Sequence, residues 1–193
     1  MKQKARILDR GRSISKMVLF LTVLLCLTAG LSMVSFAKTY KVKSAADWKK
    51  IGSYKGGTFK LTKNISLKST SQYLTINKNK KYTIDLNGYK VTDNGTGSQK
   101  SPLAIKKGTV TIKTSRPKKG GVLYSKEWMS VTVSGKAKLY VKSGAIVNDT
   151  VEFRTGLASA IYLSDSAKCY LQGKSIVQSI NNGVTLMGNR SCI

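Results

Sequence analysis

The strongest constraint on how this chain can fold is a pattern of short apolar runs that recurs about every 28 residues. In the first phase of the pattern, two apolar residues flank one other residue, and the second members of the pairs are spaced by 29, 28 and 30 residues. These pairs are Leu74/Ile76, Leu103/Ile105, Val131/Val133 and Ile161/Leu163. Because one such run cannot bury its apolar side alone, the period predicts structural units that stack on one another.

Two further phases repeat with a similar period. The second consists of the pairs Ile84/Leu86, Val110/Ile112, Leu139/Val141 and Cys169/Leu171, and the weaker third of Val91, Val122, Val147 and Ile176. Upstream, Phe59/Leu61 and Ile65/Leu67 fit an earlier, partial repeat. Three short strands per repeat predict an all-β fold, a parallel β-helix (solenoid) of about five rungs. A β-sandwich with accidental spacing is the alternative.

The two ends of the predicted solenoid differ. Before it, residues 44–51 predict a short capping helix, with Ser44 as its N-cap and Asp47 three residues later. Trp48 and Ile51 share one face of this helix and are expected to cover the first rung. We therefore assign 38–56 to the cap and 57–193 to the β-helix. The β-helix is predicted to be incomplete at its C-terminal end, which either continues in a longer protein or pairs with another chain.

The first 37 residues have the organisation of a secretory signal peptide. A basic segment, residues 1–16, precedes an uncharged segment, residues 17–36, and Ser35 and Ala37 place small residues before a cleavage site. The prediction is therefore a protein that is secreted or displayed on the cell surface. The alternative is an uncleaved membrane anchor, because twenty uncharged residues can just span a bilayer.

The chain is strongly basic, with 34 Lys and Arg against 8 Asp and Glu, and it has no His. The lack of His excludes zinc catalysis by His ligands and His-activated nucleophiles. Residues 38–193 keep 28 of the basic side chains, and only three of these are Arg. Since Lys is a strongly hydrated point charge, we expect loose adhesion to an anionic polysaccharide or cell-envelope polymer, and no specific nucleic-acid recognition. No cofactor is predicted.

One segment is similar to the rungs of a known family. Residues 82–91, YTIDLNGYKV, are preceded by 74–78, LTINK, and this segment resembles pectate-lyase-like right-handed parallel β-helix proteins. It is closest to the non-enzymatic, adhesin-like surface proteins of Gram-positive bacteria. The helix and the segment 56–61, GGTFKL, also resemble the usual start of such coils. The resemblance implies a right-handed coil, in agreement with the crossover rule.

Because the family includes polysaccharide lyases and hydrolases, the acidic residues decide whether an enzyme is expected. A lyase gathers carboxylates around Ca²⁺, and a hydrolase pairs two across the scissile bond. No two acids of the mature chain are expected on neighbouring rungs of one face, and Asp149 with Glu152 is the only close pair. The prediction is a non-enzyme; the alternative is a fragment of a polysaccharide lyase or glycosidase of this class.

The second face of the predicted solenoid offers a candidate binding surface. Its outward column is expected to contain Asp85, Thr111, Tyr140 and Tyr170, with Lys113 and Lys142 beside it. Two stacked tyrosines next to lysines suit an acidic sugar polymer, because the rings contact sugar C–H groups while the ammonium groups meet the anions. The alternative is that the aromatic pair only stabilises the sheet, by about 0.2–1 kcal/mol.

The two cysteines of the mature chain are related by the repeat. Cys169 and Cys192 are 23 residues apart, as are Leu163 and Leu186. If the last rung is short, Cys192 lies directly above Cys169, within the Cα–Cα range of a disulfide. An exported protein permits such a bond. The alternative is an inert cysteine, Cys169, that faces the core.

Overall fold

The protein is described here from a computed structural model. The described residues are 38–94, 100–126, 128–142, 144–149, 159–179, 182–187 and 191–193. The predicted signal peptide, residues 1–37, lies outside them, as do Glu127 and Glu152. Within these ranges, no helix is long and apolar enough to cross a membrane.

The described residues form one short helix, α1 (Ala45–Lys50), and seventeen strands. In chain order the strands are β1 (Thr39–Val42), β2 (Gly57–Leu61), β3 (Ile65–Leu67), β4 (Leu74–Ile76), β5 (Lys81–Asp85), β6 (Lys90–Asp93), β7 (Leu103–Ile105), β8 (Thr109–Lys113), β9 (Gly121–Ser125), β10 (Val131–Val133), β11 (Lys138–Val141), β12 (Ala145–Asp149), β13 (Ser159–Leu163), β14 (Lys168–Leu171), β15 (Ile176–Gln178), β16 (Asn182–Leu186) and β17 (Ser191–Cys192).

The strands make three sheets, and from β2 to β14 each strand pairs with the third strand after it along the chain; β1 pairs with β2. Sheet A has the order β1-β2-β5-β8-β11-β14-β17, sheet B the order β3-β6-β9-β12-β15, and sheet C the order β4-β7-β10-β13-β16. The neighbouring strands pair in parallel, as in β5 with β8 and β10 with β13. The predicted all-β parallel solenoid is confirmed, and the sandwich alternative is wrong. The handedness of the coil stays a prediction, and the strand counts of seven, five and five do not define one number of rungs.

The first phase of the sequence pattern forms two continuous files of apolar side chains in sheet C. Leu74, Leu103, Val131 and Ile161 are register partners from strand to strand, and so are Ile76, Ile105, Val133 and Leu163. All of them are at most 1% exposed. Successive parallel strands are roughly 4.8 Å apart, so these side chains bury one another only because the strands stack. The expected alignment of the first phase is confirmed.

In the second phase of the pattern, the first pair was assigned two residues too far along the chain: the inward residues of β5 are Tyr82 and Ile84, not Ile84 and Leu86. Ile84 is the partner of Ile112, not of Val110, and Tyr82 is the partner of Val110. The true spacing is therefore 28 residues instead of the expected 26. Leu86 is fully buried like a core residue of a strand, but it lies after the end of β5, at the corner that leads to sheet B. The buried corner residue Leu86 therefore produced the same alternation of apolar residues in the sequence as an inward residue of a strand.

The third phase contained two residues on the wrong side of sheet B. Its inward file consists of Val91, Leu123, Val147 and Val177, and it does not include Val122 or Ile176. Because strand side chains alternate between faces, a displacement of one residue moves a side chain from the core to the surface. The turn at Pro117–Lys119 lengthens the connection between β8 and β9. The longer connection places Leu123, instead of Val122, opposite Val91 in the inward file.

Helix α1 covers the first strands of the solenoid, as predicted. The Ser44 hydroxyl accepts a hydrogen bond from the Asp47 N–H (3.1 Å), while a carboxylate oxygen of Asp47 accepts one from the Lys43 N–H (3.0 Å). Trp48 and Ile51 are fully buried. The helix contacts β3 and β4, which are the edge strands of sheets B and C. The indole N–H of Trp48 donates to the carbonyl oxygen of Pro102 (3.1 Å) and so ties this cap to the next part of the coil.

Candidate functional site

Two tyrosines stack on the outer face of sheet A. Tyr140 on β11 and Tyr170 on β14 are register partners, and their ring centroids lie 4.5 Å apart with planes inclined by 10°. Both rings are half-buried. They lie on the outer face because side chains alternate along a strand, and Leu139, Val141 and Cys169 beside them are fully buried in the core. The expected stacked pair is therefore present in the structure.

The column that continues this pair differs from the prediction at one position. Tyr140 is the partner of Thr111, and Thr111 is the partner of Thr83. Asp85 was expected in this column, but it is the partner of Lys113 and is only 3% exposed. Thr58 and Thr39 continue the column beyond Thr83, so it presents four threonines and two tyrosines, and none of these six residues is acidic.

Asp85 was expected in this column because Leu86 was paired with Ile112, two residues too far along the chain, and a hydrogen-bonded corner after β5 buries its carboxylate. One oxygen of the Asp85 carboxylate accepts from the Asn87 N–H (2.9 Å) and from the Ser115 N–H (2.8 Å). The side-chain amide of Asn87 in turn donates to the Leu61 carbonyl oxygen (2.9 Å) and accepts from the Ser115 hydroxyl (2.9 Å). A carboxylate that is buried needs such donors, and here the donors lie inside the corner. Asp85 and Asn87 together therefore connect the ends of β2, β5 and β8, and Asp85 does not project outward.

Lysines flank the tyrosine pair on both sides. Lys113 is the last residue of β8 and the exposed Lys142 follows the end of β11, on one side of the pair as expected. The Lys142 N–H donates to the Ile112 carbonyl oxygen (2.8 Å). On the other side, Lys138 and Lys168 are register partners and both are exposed. The sequence prediction did not include this second pair. The alternation of side chains along a strand was sufficient to predict this pair of lysines, because Lys138 and Lys168 each precede a tyrosine of the pair by two residues and so lie on the same face.

The four described carboxylates accept hydrogen bonds within the fold. Besides Asp47 and Asp85, Asp93 is 1% exposed and accepts from the Ser125 hydroxyl (3.0 Å), and Asp165 accepts from the Gly135 N–H (2.8 Å). For Asp47 the backbone N–H of Lys43 is the main cause that lowers the pKa of the carboxyl below its usual value. In the part of the chain that the structure describes, no group of three acidic or cysteine side chains is placed to hold a metal ion.

A cavity on the outer face of sheet C was not expected from the sequence. It has a volume of about 420 Å³, and its wall includes Thr75, Lys100, Ser101, Lys106 and Thr132. The Ser101 hydroxyl oxygen is buried and makes no hydrogen bond within the described residues. The only sequence signal was the pair of threonines, Thr75 and Thr132, at outward positions of β4 and β10.

The cysteines have the backbone register that the repeat predicts. Cys169 on β14 is fully buried, and its register partner is Cys192 on β17. The N–H of Ile193 donates to the Cys169 carbonyl oxygen (3.0 Å), which continues the ladder beyond this pair. The side chain of Cys192 lies outside what the structure describes, so the disulfide stays a prediction.

Chemically, the outer face of sheet A combines two aromatic ring faces with flanking ammonium groups. Such a surface can hold an anionic ligand that also offers apolar C–H surface. Comparisons with models of protein families, with curated proteins and with solved structures found no match for this chain. The arguments for function therefore start from this surface and from the charge of the chain.

Proposed function

We propose that this protein is an exported surface module that adheres to an anionic glycan or cell-envelope polymer without catalysing a reaction. The observation that carries the proposal is the stacked pair Tyr140 and Tyr170, with Lys138 and Lys168 on one side and Lys142 on the other. The ring faces contact sugar C–H groups, and the ammonium groups attract the acidic substituents. Residues 38–193 carry 28 basic and 7 acidic side chains, and long-range attraction by this net charge of +21 raises the rate of encounter with the polymer.

The sequence features outside the described residues support the location. The basic and uncharged segments of residues 1–37 are typical of a secretory signal peptide, which would deliver the solenoid to the outside of the cell. The resemblance of residues 82–91 to pectate-lyase-like surface proteins of Gram-positive bacteria favours the same role. A parallel solenoid also suits adhesion, because its stacked strands present repeated side chains along one surface.

The first experiment replaces the tyrosine pair by the residue that occupies the same column elsewhere. In the double variant Tyr140→Thr/Tyr170→Thr, the column reads threonine throughout, like Thr83 and Thr111. We expect binding to an acidic polysaccharide such as polygalacturonate, measured by calorimetry, to weaken about tenfold, which corresponds to about 1.4 kcal/mol.

The matched control is Tyr162→Thr. Tyr162 is a half-buried outward tyrosine on sheet C, and its register partners Thr132 and Thr185 are threonines. This variant should bind like the unmodified protein. Equal affinity of the unmodified protein and the double variant would show that the tyrosine pair only stabilises the sheet.

Salt separates adhesion by charge from a spacer role. Exposed charges are screened over about 8–10 Å at physiological ionic strength, so binding should weaken steadily as salt increases. Binding that is the same at low and high salt would contradict the charge-based proposal, and absence of binding to acidic polymers at low salt would favour a structural spacer.

A further inference from the structure

One corner of the solenoid, where each strand of sheet C leads into a strand of sheet A, exposes a series of lysines. We call this set the lysine ridge. Each of its members is exposed: Lys78, Lys80, Lys81, Lys106, Lys107, Lys136, Lys138 and Lys168. The ridge adjoins the tyrosine face of sheet A, because Lys138 and Lys168 belong to both surfaces.

Backbone hydrogen bonds stack the corners directly on one another. The Thr109 N–H donates to the Lys80 carbonyl oxygen (2.9 Å), the Lys138 N–H to that of Gly108 (3.0 Å), and the Lys168 N–H to that of Ala137 (3.1 Å). Each step along the ridge is therefore one strand separation, roughly 4.8 Å. The backbone positions of these lysines therefore follow the stacking direction of the coil.

The middle of the ridge is concave. A cavity of about 430 Å³ is lined there by Asn79, Lys106, Lys107, Gly108, Gly135 and Lys136. Gly108 has a φ of +82°, and a Cβ at this position would lie 2.5 Å from the carbonyl oxygens of Lys78 and Lys80. The tight stacking of this corner on the preceding one thus requires glycine, and Gly108 is part of the cavity lining between the lysines.

The ridge carries little compensating negative charge. Asp165 is the one acidic residue among the described residues of this corner, and its carboxylate accepts from the Gly135 N–H (2.8 Å) and the Ser164 hydroxyl (3.3 Å). Lys78 donates to the carbonyl oxygens of Ser53 and Tyr54. The other lysines face solvent close to one another, an arrangement that an external anion stabilises.

The opposite corner, between sheets A and B, is also basic but has a different shape. There the turn at Pro117–Lys119 packs over the neighbouring glycines: a Cβ on Gly88 would meet the Lys119 side chain at 2.9 Å, and one on Gly144 would meet Pro117 at 2.9 Å. The turn fills this corner, whereas the lysine ridge is open. Because both corners are basic but only one is open, a comparison of the two distinguishes the effect of charge from the effect of surface shape.

We infer that the lysine ridge is the principal charged contact site for the polymer, beside the aromatic contact at Tyr140 and Tyr170, and that the polymer chain runs along the stacking direction of the solenoid. The ligand class is a linear acidic polysaccharide, whose successive charges meet lysines of successive strands. The inference rests on the proposed function for the class of ligand, and it adds the site and the direction of binding.

The experiment compares two variants that remove the same charge. The ridge variant is Lys106→Gln/Lys107→Gln/Lys136→Gln, and the control variant is Lys63→Gln/Lys90→Gln/Lys118→Gln at the opposite corner; all six lysines are exposed. Binding to polygalacturonate and to dextran sulfate is measured at low salt, with neutral dextran as the uncharged probe. Denaturation midpoints verify that both variants fold.

The ridge variant should bind at least about tenfold more weakly than the unmodified protein, because it removes three ammonium groups that line one cavity and can contact the polymer together. The control variant should lose only about two- to threefold. Equal losses in both variants would overturn the ridge as the principal site while leaving adhesion by diffuse charge intact. If neither the unmodified protein nor any variant binds either polyanion, the proposed function fails together with the inference.

Ligand length tests the direction of binding. For the unmodified protein, affinity should rise with the length of the oligosaccharide until the ligand spans the ridge, and the ridge variant should show a much smaller rise. Affinity that does not increase beyond a disaccharide would overturn the axial arrangement. A single-stranded polynucleotide of equal charge that binds as tightly, with the same loss in the ridge variant, would overturn the assignment to polysaccharide.

Discussion

The two ends of the solenoid share one repeat but differ in burial. Ile76 on β4 and Leu186 on β16 belong to the same file of sheet C, at its opposite edges. Ile76 is fully buried, whereas Leu186 is 48% exposed. Within the described residues, the exposed large apolar side chains all lie in the last 23 positions: Leu171, Ile176, Leu186, Met187 and Ile193.

The difference arises from what lies against each edge. At the first edge, Trp48 and Ile51 of the cap are fully buried against the core, and the rings of Tyr40 and Phe59 stack at 5.1 Å between β1 and β2. At the other edge, β15 and β16 have a neighbouring strand on one side only. An inward position in a solenoid is therefore buried only when something covers it, and the repeat alone does not bury it.

The largest effect is expected from removing the cap's central side chain. Trp48→Ala should lower the free energy of unfolding by about 3–5 kcal/mol, because it leaves a cavity over the first strands and removes the hydrogen bond to Pro102. Urea denaturation followed by far-UV circular dichroism measures this. A loss below about 1 kcal/mol would mean that the cap does not protect the first edge.

The next prediction compares the two ends within one file. Ile76→Ala should destabilise by about 2–5 kcal/mol, whereas Leu186→Ala should cost less than about 1 kcal/mol, since Leu186 is already half in solvent. The same denaturation experiment measures both variants. Equal costs would contradict the difference in burial and would indicate that the second edge is covered in solution.

A smaller effect is expected at the N-cap of α1. Ser44→Ala removes the acceptor of the Asp47 N–H and should cost about 0.5–2 kcal/mol. The matched control is Ser166→Ala, at an exposed corner of the solenoid, which should change stability by less than about 0.5 kcal/mol. Similar values for the two variants would show that the cap hydrogen bond does not stabilise the helix.

The smallest effect concerns pH. The pKa of Asp47 is lowered in the folded protein, chiefly by the Lys43 N–H, so its ionised form favours folding. That stabilisation is present above the unfolded pKa, near 3.8, and is lost as the pH falls through the lower folded pKa. The stability difference between the unmodified protein and Asp47→Asn should therefore be constant near neutral pH and shrink below about pH 4. An equal difference at pH 3 and pH 7 would contradict this role.

The candidate site shows how far sequence reasoning extends. Tyr140 and Tyr170 were paired correctly because both strands have the same length and the same alternation, and Cys169 was aligned with Cys192 for the same reason. Asp85 was misplaced because Leu86, a buried corner residue, was taken as the second member of the strand pair, which shifted the assignment of β5 by two residues. Val122 and Ile176 were misplaced by one residue within β9 and β15. Errors thus occurred both next to a corner and by displacement within a strand, because the apolar period does not fix the length of each connection.

The two cavities were not predictable for a related reason. Thr75 and Thr132 are 57 positions apart, and Asn79 and Lys136 are also 57 apart; each pair lines one cavity. The size of a cavity depends on how the backbone turns at each corner, as at Gly108, and no periodic pattern encodes that turn. The sequence can therefore indicate which residues lie on an outer face, but not where that face is concave.

By itself, the amino-acid sequence determined the parallel solenoid, the cap and the strongly basic surface, because apolar periodicity, helix capping and net charge are local or additive properties. The tertiary structure decided the register at the corners, the burial of Asp85 and the unequal exposure of the two ends. These depend on which backbone donors and apolar groups from distant repeats come within contact distance, and that is a property of the folded chain.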